Sequence, residues 1–165
     1  MRGENCLIQL DFLGTYGDAG LLVTRLILGF IMIVHGAPKL FGPARPMMRG
    51  GMSQLGIPGA LFDLVGLLEF LGGITLIIGF LTRVVALLFL LEMIGTIALY
   101  LGKLGTMVPP PEMLHQMVTN SRRFMRGFVA GVGGWEFDLL ILGVALLLFL
   151  LGPGAYSVDA LLRIL

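Results

Sequence analysis

Six ionisable side chains lie inside, or at the mouth of, long apolar runs, and their types suit the handling of protons. Arg25, His35 and Lys39 interrupt the first run, Glu69 the second and Glu92 the third, while Glu136 opens the fourth. Histidine changes charge near neutral pH, and carboxyl and ammonium groups can hold or pass a proton beside it. An ionisable group at lipid depth costs at least about 2.5–3.5 kcal/mol, so it needs a partner and marks a functional site by default. A quinone headgroup is a natural occupant. Its ring is apolar, its two carbonyls accept hydrogen bonds, and it gains protons on reduction. In this reading His35 donates to a carbonyl and Glu69 relays protons to the surface, with Arg25, Lys39 and Glu136 completing the polar site. His35 and Glu69 are the candidate catalytic groups.

The elements that must position these groups are the runs themselves, approximately residues 21–41, 60–80, 84–101 and 135–151. Each is long enough to cross a bilayer as a helix. Hydrophobic residues make up 57% of the 165-residue chain and charged ones 13%. Soluble domains average about 25% charged residues, so this composition predicts an all-α, polytopic membrane protein: one four-helix bundle with interfacial helical segments. The net charge of +1 gives no electrostatic footprint for nucleic acid. The single cysteine, Cys6, excludes a dithiol oxidoreductase pair within the chain. The N-terminus shows no cleaved signal pattern, and the first run serves as its own insertion signal.

Between the runs, glycine and proline punctuate the chain. Leu7–Leu13 reads as an amphipathic surface piece, broken by Gly17, Asp18 and Gly20 before the first span. Met47–Leu55 suits one or two interfacial turns. Leu81-Thr82-Arg83 predicts a tight hairpin between the second and third spans, with Thr82 as N-cap and Arg83 anchoring the turn. In the longest connection, Pro109-Pro110-Pro111 favours polyproline II, and Glu112–Phe128 reads as a basic interfacial helix or ordered loop whose Arg122, Arg123 and Arg126 meet anionic lipid. Gly152-Pro153-Gly154 stops the fourth span, and Ser157 and Asp159 cap a short apolar tail. Basic residues concentrate on the side of residues 42–59 and 102–134. The positive-inside rule therefore puts those connections in the cytoplasm and both termini outside.

Depth pairs the charges. Helical spacing puts Arg25, Gly29, Met32, His35, Gly36 and Lys39 on one stripe, and Gly66, Glu69, Gly72 and Gly73 on a face that packs against it. Measured from the terminal side at 1.5 Å per residue, Arg25 lies about 6 Å deep, Glu92 about 12 Å, Glu69 about 17 Å and His35 about 21 Å. The expected pairs are Arg25 with Glu92 and His35 with Glu69, with Lys39 and Glu136 near the opposite surface. Such pairs also have a purely architectural reading, in which they neutralise one another and fix helix register. Other ligands fit less well. His35 and His115 are an unpatterned pair and argue against haem. Met107, Met113 and Met117 with His115 have the softness for Cu(I), but methionine at helical spacing is more often packing. No metal site is expected.

These residues resemble the DoxX family. Arg25-Leu26 and Leu28-Gly29, then His35-Gly36-x-x-Lys39-Leu40-Phe41, are similar to its first span. Glu69-x-x-Gly72-Gly73 and Gly79-Phe80-Leu81-Thr82-Arg83 are similar to its second span and turn. Gly134-Trp135-Glu136-Phe137 resembles the opening of its fourth span, and Gly152-Pro153-Gly154-x-Tyr156-Ser157-x-Asp159-Ala160-Leu161 its closing signature. The resemblance covers residues 20–163. It implies a multi-pass cell-membrane protein linked with membrane redox processes: thiosulfate:quinone oxidoreduction, terminal quinol oxidases or oxidative-stress complexes. Electron carriers would then sit on other membrane or peripheral subunits, or the chain would pair with its own copies. Two departures stand out. Glu92 matches no family position, and Tyr100 replaces an expected histidine. The long insert at 108–128 suggests a partner surface. The alternative function is a non-catalytic accessory or assembly subunit of a larger membrane complex; a small-solute transporter is disfavoured because no internal repeat is visible.

Overall fold

A computed structural model describes residues 4–54, 56–102 and 135–164, with side chains from Tyr16 onward except Tyr100. Among the described residues six helices follow in order: α1 (Glu4–Phe41), α2 (Arg45–Gln54), α3 (Gly59–Ile78), α4 (Thr82–Gly102), α5 (Trp135–Leu151) and α6 (Val158–Leu162). The described residues contain no strand. The polyproline and basic segments of the long connection, His115 and the methionines near it fall outside the described residues. So does the side chain of Cys6.

The expected break before the first span does not occur. α1 is continuous through Gly17 and Gly20. A helical glycine costs only about 1 kcal/mol relative to alanine, which is too little to stop a helix that continues on both sides. α1 even carries Pro38 in its last turn, where the ring removes the hydrogen bond to the Val34 carbonyl. At 38 residues, α1 is about 57 Å long, and its Tyr16–Phe41 portion is apolar enough to cross a bilayer. Gly59–Ile78 and Thr82–Leu99 meet the same criteria. α5 coincides with the fourth apolar run and has 17 residues, at the short end of spanning length.

α1 packs chiefly on α3, and α4 chiefly on α5. The α1–α3 seam depends on glycine. A Cβ on Gly36 would lie 2.5 Å from the Phe70 nitrogen and 2.8 Å from the Gly66 oxygen, and one on Gly73 would lie 2.5 Å from the Gly29 oxygen. The backbones therefore touch where these hydrogens are. Leu28, Met32, Leu76, Val85, Ala86, Phe89, Met93, Ile141, Ala145 and Leu148 fill the space among the helices. The outward faces are apolar as well: Leu26, Ile27, Phe30, Leu64, Leu67, Leu71, Leu87, Leu91, Leu140, Leu147 and Leu150 are all exposed. A helix hydrophobic all round is a membrane or deep-core helix, and here the lipid takes the outer half. The protein is a polytopic, all-helical membrane protein.

The end of the bundle near both described termini is tied by side chains from distant parts of the chain. α3 ends at Gly79 (φ +75°), whose N–H donates to the Leu76 and Thr75 carbonyls, while Phe80 N–H also reaches Thr75, a Schellman-type stop. Leu81 follows with φ +51°, a left-handed conformation that a leucine rarely holds unaided. Asp159 holds it: its Oδ1 accepts from Leu81 N–H at 2.7 Å and its Oδ2 from Thr82 N–H at 2.8 Å. This corrects the expectation that Thr82 caps the helix. The Thr82 hydroxyl is buried without a partner among the described residues, and the cap comes from a carboxylate 77 residues away, which meets the free amides at the positive end of α4. Ser157 does cap α6 as expected, accepting from Ala160 N–H at 3.0 Å.

Candidate functional site

Arg25 is fully buried beside this tie. Its Nη1 donates to the Leu76 carbonyl at 3.3 Å and its Nη2 to the Tyr156 carbonyl at 2.5 Å. Asp159 is the opposite charge that acts on it. The expected Arg25–Glu92 pair is therefore not formed. Depth puts both groups in reach, but the tail folds back onto α1 and its carbonyl answers Arg25 instead. Arg83 lies beside Gly152, where a Cβ would meet Arg83 Nη2 at 3.0 Å. Asp18 adds a further tie by accepting from Ala155 N–H at 2.8 Å.

The remaining charges gather toward the other end. Gly36 and Gly66 bring α1 and α3 so close that Lys39 and Glu69 must meet. A Cβ on Gly66 would lie 2.9 Å from Lys39 Cβ, and one on Gly36 would lie 3.0 Å from Glu69 Cβ. Lys39 Nζ donates to Glu69 Oε1 at 2.5 Å, with the Glu69 side chain 5% exposed and the Lys39 side chain 22%. Glu69 is thus paired with Lys39, not with His35 as expected. His35 was placed by depth alone, and the lysine stem is long enough to reach down from the helix end. Glu92 on α4 lies within electrostatic reach of Glu69 and Lys39, so this carboxyl, too, belongs to the cluster. The Oε2 atoms of both glutamates are buried with no donor among the described residues.

His35 completes the group differently from the expectation. Its Nδ1 lies 2.8 Å from the Ile31 carbonyl oxygen. A carbonyl only accepts, so Nδ1 carries the hydrogen and Nε2 of the neutral ring is an acceptor. The ring stacks on Phe137, with centroids 5.5 Å apart and planes at 26°. Asp138, the next residue on α5, lies within electrostatic reach of Lys39, His35 and Glu69. Its Oδ2 is buried with no donor among the described residues. Glu136, expected in the site, is exposed at the start of α5. Asp138 takes the inward position because two residues along a helix turn the side chain through about 200°. The sequence carried that signal: Asp138 sits one turn inside an apolar run, deeper than Glu136.

Near the same end, α2 is held to α3 by Asp63, which accepts from Arg45 Nη2 at 2.8 Å and pairs with Arg49 Nε at 3.3 Å. These groups are half-exposed and lie outside the buried cluster. Among the described residues no group of three or more histidine, cysteine, aspartate or glutamate side chains has the geometry of a metal site.

Comparison with known proteins agrees with this architecture. Residues 20–102 match the family description DoxX. The inner membrane protein YqjF of Escherichia coli (strain K12) is 35% identical over 88% of this chain and 94% of its own. The uncharacterised membrane protein Rv3486 of Mycobacterium tuberculosis is 31% identical over 87% of this chain and 81% of its own. A Bacillus subtilis (strain 168) protein provisionally named the oxidoreductase CatD is 34% identical over 48% of this chain and 58% of its own. No solved structure matches.

Proposed function

This chain belongs to the DoxX family, and from that premise we propose that it is an integral membrane subunit of a quinone-linked redox complex. α5 is read as its fourth span. The buried cluster of Lys39, Glu69, Glu92, His35 and Asp138 is read as the place where a quinone headgroup docks or protons pass. One observation carries the proposal. An ion pair at 2.5 Å sits within an apolar bundle, flanked by buried carboxyl oxygens that have no donor among the described residues. A pair whose only task was to join two helices would not need two more acids beside it, since each uncompensated buried acid destabilises the fold. The oxidoreductase name of the Bacillus relative points the same way. Partner subunits carry the electrons, and this chain supplies the lipid-embedded docking and proton-handling surface. Arg25 belongs to the tie at the other end of the bundle rather than to the site.

Replacing Glu69 by Gln tests this reading. The change keeps the side-chain shape and removes the charge. Lost quinone-linked turnover in membranes, with assembly of the complex intact, is the expected result. Normal turnover would discard the site. A second reading, a non-catalytic assembly subunit, is favoured by the fact that Lys39 and Glu69 join α1 to α3. In that case Glu69→Gln abolishes assembly along with turnover.

A further inference from the structure

Arg83, at the start of α4, has no acceptor. Its Nε is buried without a partner, and no carboxylate or carbonyl among the described residues takes a hydrogen bond or an ion pair from its guanidinium. The side chain is only partly exposed. It is held where α4 begins and α5 ends, since a Cβ on Gly152 would meet its Nη2 at 3.0 Å and its Nε at 3.1 Å. Gly152 has φ +85°, which glycine adopts freely, so the chain leaves α5 with no side chain in the way of the arginine. The helix does not favour the charge either. Arg83 is the second residue of α4, at the positive end of the helix dipole, where an anion is stabilising and a cation is not. A guanidinium drawn partly out of water with no oxygen against it is costly, and a bound anion removes that cost.

The setting selects the anion. Thr82–Leu99 is apolar and long enough to cross a bilayer, so Arg83 stands at headgroup level. Leu87, Leu91 and Ile94 continue its face of α4 at helical steps and are exposed, as are Val84 beside it and Leu151 beside Gly152. An apolar face topped by an unpaired cation fits a diacyl lipid, with its chains along the leucines and its phosphate against the guanidinium. The planar fork of arginine matches two phosphate oxygens through parallel N–H bonds. No described carboxylate pairs with Arg83 and could take up a headgroup ammonium, so a headgroup of net negative charge suits the site better than a zwitterionic one. We infer that Arg83 and the apolar face below it bind an anionic phospholipid, at the end of the bundle away from the Lys39–Glu69 pair.

The test uses the full chain in lipid nanodiscs. Phosphatidylglycerol and phosphatidylcholine with the same acyl chains, each carrying a photoreactive diazirine near the glycerol, are added separately as tracers. After illumination the adducts are mapped by mass spectrometry. In the wild-type protein, labelling at residues 83–87 and 151–153 is expected to be about fivefold heavier with phosphatidylglycerol, the gain that one basic residue draws from an anionic lipid surface. Arg83→Gln should bring the two lipids to parity there, and Arg83→Lys, which keeps the charge, should retain most of the gap. Equal labelling of the wild-type protein by the two lipids overturns the inference without recourse to a variant. A gap that persists unchanged in Arg83→Gln overturns the assignment to this arginine. Absence of label from both lipids at these residues also overturns it, and gives the face to another protein chain whose acid answers Arg83.

Discussion

Asp159→Ala is expected to loosen the whole terminal end of the bundle. The carboxylate accepts two backbone hydrogen bonds, at 2.7 and 2.8 Å, from Leu81 and Thr82, and it is the negative charge that acts on the fully buried Arg25. Hydrogen bonds to a charged group contribute about 1.5–3 kcal/mol each. The two bonds together account for a loss of about 3–6 kcal/mol, which at the sensitivity of a domain of this size lowers the unfolding midpoint by roughly 6–24 °C. The left-handed Leu81 (φ +51°) loses its tether in the same step. The assay is a heat step on detergent-purified protein, followed by measurement of the monodisperse fraction. Asp159→Asn keeps one acceptor oxygen and should fall between wild type and alanine. A midpoint for Asp159→Ala within about 2 °C of wild type would refute the reasoning, since it would place the whole tie below 1 kcal/mol.

Other outcomes follow from the same geometry. Gly36→Leu should destabilise by about 1–3 kcal/mol or more, because its Cβ would already meet the Phe70 nitrogen at 2.5 Å; the midpoint of thermal unfolding reads this. Gly20→Ala, with nothing within 4 Å of its Cβ, should be neutral or slightly stabilising in the same measurement, by about 0.5–1 kcal/mol at most. Lys39→Met should cost several kcal/mol by stranding Glu69, and the Lys39→Met, Glu69→Gln double variant should regain part of that loss. A double-variant loss equal to the sum of the two single-variant losses would show that the two residues are not coupled. Arg45→Gln should leave thermal stability unchanged, because its partner Asp63 and the arginine itself are both half-exposed.

The long helices were legible because length and apolarity decide them. The runs at 21–41, 60–80, 84–101 and 135–151 appear within a few residues as α1 from Leu21 onward, α3, α4 and α5. The glycine faces of α1 and α3 were legible from their three- and four-residue spacing. The partners of the charges were not. Estimating depth along each helix ranks groups by level but says nothing of azimuth or of the length of the side chain, so Lys39 displaced His35 at Glu69. It also leaves out the tail, whose backbone carbonyl at Tyr156 and carboxylate at Asp159 answer Arg25 in place of Glu92. Asp138 was passed over in favour of Glu136, although the helix turn between them decides which one faces inward. The tautomer of His35 is a matter of one carbonyl 2.8 Å away, and no spacing in the chain announces it.

The separation between Arg25 and the tail has a consequence for biogenesis. One of the two carbonyls that Arg25 meets belongs to a residue 131 positions later. At ribosomal speeds of about 5–20 residues per second, the two are synthesised roughly 7–26 s apart. Through that interval the guanidinium of the nascent first helix has at most the Leu76 carbonyl to answer it. It must therefore wait at the water-lipid boundary, or inside the insertion machinery, until the closing residues leave the ribosome.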